Sequence, residues 1–200
     1  MKRTVLLAAV AAATLTAAAC QRQEDVADVG QTEPVNAAQD AAGAAVGAMS
    51  AATVGQMSTD AFVSNATESN VYEIEAGKIA QQKAQSAEVK AFGQQMVTDH
   101  TAMLNEMRPI ITQAGFTPPD ELDERRKGML DNLRAASAAE FDRVYLDQQE
   151  AAHEEALTLM RGYGENGDNA ALKDAAAKAA PKIQAHLDRV NQLKAALPAQ

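Results

Sequence analysis

Three histidines stand out among the 200 residues: His100, His153 and His186, one in each of three separate stretches of helical periodicity. Imidazole is the commonest protein ligand for transition metals and the usual proton carrier near neutral pH. A step of about 100° per residue places each polar side chain on or off the apolar stripe of its own helix. His100 lies between Met96 and Met103, near the middle of its stripe. His153 is off the centre of its face, beside Gln149, and His186 is at the edge of the stripe carrying Ile183 and Leu187. Glu73 shares a face with Phe62, Ala66 and Ala80, whereas Glu75 points almost the opposite way.

Three imidazoles and one carboxylate suit a single Zn, Mn, Fe or Cu ion. The same residues also suit a hydrogen-bonded polar layer, in which buried Glu73 takes His100 as its partner. Both readings stay open at this level. A two-iron carboxylate site is disfavoured, because it needs four inward carboxylates and Glu-x-x-His on two helices. Only Glu150 and His153 have that spacing, and Glu150 points outward. Met96, Met103 and Met107 recur at helical spacing and read as core filler rather than copper ligands. No nucleophile–base arrangement is visible, which leaves metal chemistry as the one enzymatic route open to these residues.

The elements that must position these residues begin near Ser58. A first helix is expected over about Thr59–Ala84 and a second from an N-cap at Ser86, its stripe running from Val89 through Phe92 and Ile110. Gly115 and Pro118-Pro119 end the second, and a short charged helix is expected over Glu121–Ala135. Ser137 to Glu140 reads as a capping box opening the third, with Phe141, Tyr145 and Leu159 inward. Asp168 or Asn169 caps the fourth, which carries Leu172, Val190 and Leu193 inward, with a kink expected at Pro181. Four such helices predict an all-α, up-down-up-down four-helix bundle over residues 58–198, with the short extra helix between the second and third. On that connectivity Glu73, His100 and His153 reach a common height. His186 agrees from one end of the bundle but is out of step by about 9 Å from the other.

Alanine abundance and the absence of tryptophan support the helical class. The chain carries 18 basic and 27 acidic side chains, a net charge of −9 that excludes nucleic acid as a partner held by charge alone. Its only cysteine is Cys20, so no intrachain disulfide can form. Met1-Lys2-Arg3, an apolar run over Val5–Thr16 and Ala17-Ala18-Ala19 form a secretory signal peptide over residues 1–19. Cys20 directly after it resembles a bacterial lipobox, with Ala17 where leucine is usual. Lipidation of Cys20 would make the membrane a partner, and Gln21 behind it fits sorting to the outer membrane, facing the periplasm. Removal of Lys2 and Arg3 takes the net charge to −11. Residues 20–57 carry almost no large apolar side chain and are expected as a flexible tether with a reach of about 35 Å.

Four ordered segments, Tyr72–Ala80, Met96–His100, Phe141-Asp142 with Tyr145 and His153, and Pro181–Leu187, resemble the bacterial family called domain of unknown function 4142. The resemblance spans about residues 59–195. It implies an exported, outer-membrane-associated, ferritin-like helical bundle, and maps family histidines onto His100, His153 and His186 and a glutamate onto Glu73. It implies no reaction. The functions expected are a binding or structural role in the cell envelope, or mononuclear metal binding at the Glu/His layer, for metal buffering or for redox or hydrolytic catalysis.

Overall fold

The computed structural model describes residues 33–53 and 58–198, which form six α-helices and no strand among the described residues. The expected signal segment and Cys20 lie outside the described residues. Helix α1 spans Glu33–Thr53, α2 Thr59–Lys83, α3 Ala87–Gln113, α4 Glu124–Ala135, α5 Phe141–Asn166 and α6 Ala170–Ala196. No helix among the described residues is long and apolar enough to cross a membrane.

Caps fix the helix starts much where the sequence places them. The Ser86 hydroxyl accepts from the backbone N–H groups of Glu88 and Val89, and Asn169 accepts from that of Leu172. Ser137 donates to the Glu140 carboxylate at 2.7 Å, but α5 begins at Phe141, three residues later than a cap at Ser137 would start it, with Glu140 as N-cap making no side-chain cap bond. Gly115 closes α3 in the left-handed region at φ 85°. Pro181 is an exposed position within α6, which runs as one helix past it.

Contacts at the helix ends fix the connectivity. Thr59, at the start of α2, meets the Tyr163 hydroxyl near the end of α5 at 2.5 Å, and Phe62 stacks on the Tyr163 ring at 3.9 Å. At the other end Lys83 of α2 stands over the Phe141 ring that opens α5. Helices α2 and α5 are therefore antiparallel. Val89 and Phe92, early in α3, pack in one cluster with Val190 and Leu193, late in α6, so those two are antiparallel as well. It follows that α3 and α5 run the same way. The expected up-down-up-down order is corrected to up-down-down-up, because α4 carries the chain back along the bundle before α5 begins.

Helix α4 buries Met129, Leu130 and Leu133 in the apolar core and is pinned by charge as well. Arg126 is 3% exposed and donates to Glu68 of α2 at 2.9 Å, Glu155 of α5 at 3.0 Å and Asp123 at 2.5 Å. Lys83 donates to the terminal carbonyls of Leu133, Arg134 and Ala136, where a cation complements the helix dipole.

The expected tether is corrected over α1, which docks on α4 and α5. Alanine makes this segment helical, and small or polar contacts hold it in place of large apolar ones. Asp40 accepts from Asn132 and Gln148, each at 2.6 Å; Gly47 is buried against Glu155 and Arg125; Ala51 is 2% exposed.

The core is divided. One apolar cluster gathers Phe62, Ile111, Leu159, Tyr163 and Leu172; the other gathers Tyr72, Phe92, Phe141, Tyr145 and Val190. Between them lie buried Asn70, Glu73, His100, Gln149, His153 and His186.

Candidate metal centre

Helix geometry delivers each histidine to this layer. His100 is 13 residues from the end of α3 at Gln113, His153 is 13 from the end of α5 at Asn166, and His186 is 16 from the start of α6 at Ala170. With α5 reversed from the expected order, those three helix ends lie at the same end of the bundle. A difference of three residues is about 4.5 Å of height, so the step expected for His186 disappears.

The three rings form a triangle. Their centroids are 5.7 Å apart for His100–His153, 5.4 Å for His100–His186 and 5.4 Å for His153–His186. One ring nitrogen from each lies within 4.8 Å of the other two. The rings are 2%, 1% and 1% exposed.

Each ring uses one nitrogen outward and leaves one inward. His100 Nδ1 donates to Asn70 Oδ1 at 3.0 Å, and the Asn70 amide nitrogen in turn donates to the Ala66 carbonyl, which fixes the orientation of that amide. His153 Nδ1 donates to the Gln149 carbonyl at 2.8 Å. His186 Nε2 donates to Asp99 Oδ2 at 2.9 Å. The outer partners are all acceptors, so the outer nitrogens carry the protons. His100 Nε2, His153 Nε2 and His186 Nδ1 are then lone-pair atoms, buried and without a hydrogen-bond partner.

Burial holds all three imidazoles neutral. It pushes His100 well below the usual histidine range, with added repulsion from His153 and His186. It takes His153 down to about 3. It also lowers His186, against the opposing pull of Asp99. Burial raises the Asp99 carboxyl too, but hydrogen bonds from His186, Lys182 and Gln95 outweigh it and hold the group below its usual range. The His186–Asp99 contact is therefore a neutral N–H on a carboxylate. Neutral imidazole is the form that binds metal.

Glu73 does not join the triangle. Its Oε2 accepts from Gln149 Nε2 at 2.7 Å, and its Oε1 lies 3.6 Å from His153 Nδ1, the nitrogen already spent on a carbonyl. The expected Glu73–His100 pair is absent, since His100 takes Asn70. Burial raises the Glu73 carboxyl to about 8, against the hydrogen bond from Gln149, so it keeps its proton at neutral pH. Of the four residues expected at the site, the structure brings three together and sets Glu73 behind one of them.

Asn70 and Asp99 are the residues that sequence reasoning missed as site members. Asp99 was in view, next to His100 in one of the family-like segments, but adjacency on a helix puts two side chains on different faces. Only the position of α6 shows that Asp99 turns towards His186.

No curated protein and no solved structure matches the chain. The family model described as domain of unknown function (DUF4142) matches residues 44–193, beginning inside α1 rather than at the expected domain boundary, and taking in all three histidines. The chain belongs to the family of domain of unknown function 4142.

Proposed function

We propose that the protein binds one zinc or copper ion through His100, His153 and His186, as a metal-holding lipoprotein of the cell envelope. The observation that carries this reading is the set of three convergent, buried, unpartnered ring nitrogens. In a purely structural polar layer each would cost roughly 1–3 kcal/mol as an unmade hydrogen bond. A metal ion satisfies all three at once. Three imidazoles with an outer acceptor behind every ring are the ligand set and outer shell of mononuclear sites. With Glu73 outside the set, the donors are all nitrogen. That favours Zn or Cu over Mn, which prefers oxygen, and over iron sites built on a carboxylate. The protein would supply orientation and a dry setting, and the ion Lewis acidity or redox capacity at its remaining coordination position.

Export and lipidation at Cys20 belong to the same proposal and rest on the N-terminal sequence. The single long crossover through α4 supports a ferritin-like bundle, a family of folds built with one such connection. The fold label carries no di-iron chemistry with it.

The test is elemental analysis of the protein purified from its native envelope, followed by titration with Zn and Cu salts. About one ion per chain is expected from this donor set, with loss of binding in His100→Ala, His153→Ala and His186→Ala. Protein that carries no metal and takes up neither ion ends the metal reading, leaving a structural lipoprotein.

A further inference from the structure

Resting on the metal reading above, the geometry points to a single way in and out for the ion: the seam between α3 and α6, controlled by Asp99 and Lys182. The outer partners of the three rings differ in one respect. Asn70 is 4% exposed and Gln149 is fully buried. The Asp99 side chain is 24% exposed and is also held by Lys182 Nζ at 3.3 Å. His186 is therefore the one ring whose partner reaches solvent.

The same seam is open. A groove of about 380 Å³ runs between α3 and α6, lined by Met103, Met107 and Ile110 on one side and Ala175, Ala179 and Lys182 on the other. Its cause is local: alanines on α6 face longer side chains on α3 and leave a gap. Met103 is one turn beyond His100, and Lys182 one turn before His186. The groove thus ends at Met103 and Lys182, one helical turn short of His100 and His186, and Lys182 is the residue that holds Asp99.

The chemistry of passage follows. A hydrated cation arriving along the groove reaches Lys182 and, beyond it, Asp99, a partly exposed carboxylate hydrogen-bonded to His186. Lys182 holds that carboxylate and must release it first. Asp99 then hands the ion to the inner nitrogens as the ion sheds water. Release is the reverse.

The experiment follows Zn²⁺ loading by stopped flow, and release into a chromophoric chelator, on the full chain. Ala179→Trp fills the groove without touching a ligand or its partner. It should slow loading and release alike, by about tenfold, with affinity unchanged, since a plug raises one barrier crossed in both directions. Lys182→Ala removes the competing cation and should speed loading about threefold or more at low salt, an advantage lost as salt screens the carboxylate. Ala42→Trp, on the exposed face of α1, is the control and should match wild type. Wild-type rates in both seam variants overturn the route. If Ala179→Trp does not fold, Lys182→Ala decides alone: faster, salt-sensitive loading supports the route, and unchanged loading refutes it. A wild type that binds no Zn²⁺ instead overturns the metal site itself.

Discussion

Asn70 and Glu73 sit one helical turn apart on α2, both nearly inaccessible, yet they face different atoms of the histidine layer. Asn70 touches the outer nitrogen of His100 and so sets which nitrogen is left to bind. Glu73 touches Gln149 and the spent side of His153. Losing an outer-shell partner of a ligand commonly costs about 10–100-fold in metal affinity, so Asn70→Ala should weaken Zn binding by that order. Glu73→Gln keeps the shape and the acceptor for Gln149, and should leave affinity within about threefold, well short of an outer-shell loss. Competition titration against a chelator of known affinity reads both. The opposite ranking would make Glu73 a ligand and Asn70 a bystander. The sequence shows that Glu73 faces inward, because periodicity reports angle around a helix. It cannot show which ring atom the carboxylate meets, because that depends on a separation of a few ångströms across two helices.

Legibility at the level of elements followed the kind of force that holds each one. Helices α2, α3, α5 and α6 carry large apolar residues at steps of three and four, and their expected limits agree with the structure to within a few residues. Helix α1 has no such stripe. Its anchors are Asp40, Gly47 and Ala51, which a search for large apolar faces passes over. Helix α4 was visible as a charged helix, but the burial of its charge was not. Arg126 is enclosed among Glu68, Asp123 and Glu155, with Arg125 also on Glu155 at 2.8 Å. Truncating one member of a buried ionic network leaves its partners without compensation. Arg126→Met should therefore lower unfolding free energy by about 3 kcal/mol, read as a shifted midpoint in urea denaturation. Arg126→Met combined with Glu68→Gln should recover part of that loss, because the second change removes the charge whose ion pair was lost, whereas Glu155 keeps Arg125. A single variant as stable as wild type would mean that the network contributes no net stability.

At the scale of the molecule, the connection between α3 and α5 decides whether the histidines meet. The charged segment after Pro118-Pro119 was legible, but a helix of 12 residues can cross an end or climb the side of a bundle, and sequence periodicity does not distinguish the two. It climbs the side, and that reversal brings His186 level with His100 and His153. Helices α3, α5 and α6 thereby contribute one histidine each, while α2 backs one of the three, His100, through Asn70. An ion at the centre would tie α3, α5 and α6 together across a layer that otherwise interrupts the apolar core. Binding to the folded chain alone adds stability by mass action, about 3–4 kcal/mol at several hundred times the dissociation constant. For a chain of this size that corresponds to a rise in melting temperature of roughly 10 °C. Wild-type protein stripped with a chelator should melt lower by that amount and recover when Zn or Cu is restored. His153→Ala should melt at one temperature with or without chelator, whereas Glu73→Gln should keep the full metal-dependent shift. A wild type whose melting temperature ignores both chelator and added metal would show that the layer holds its three neutral rings without an ion.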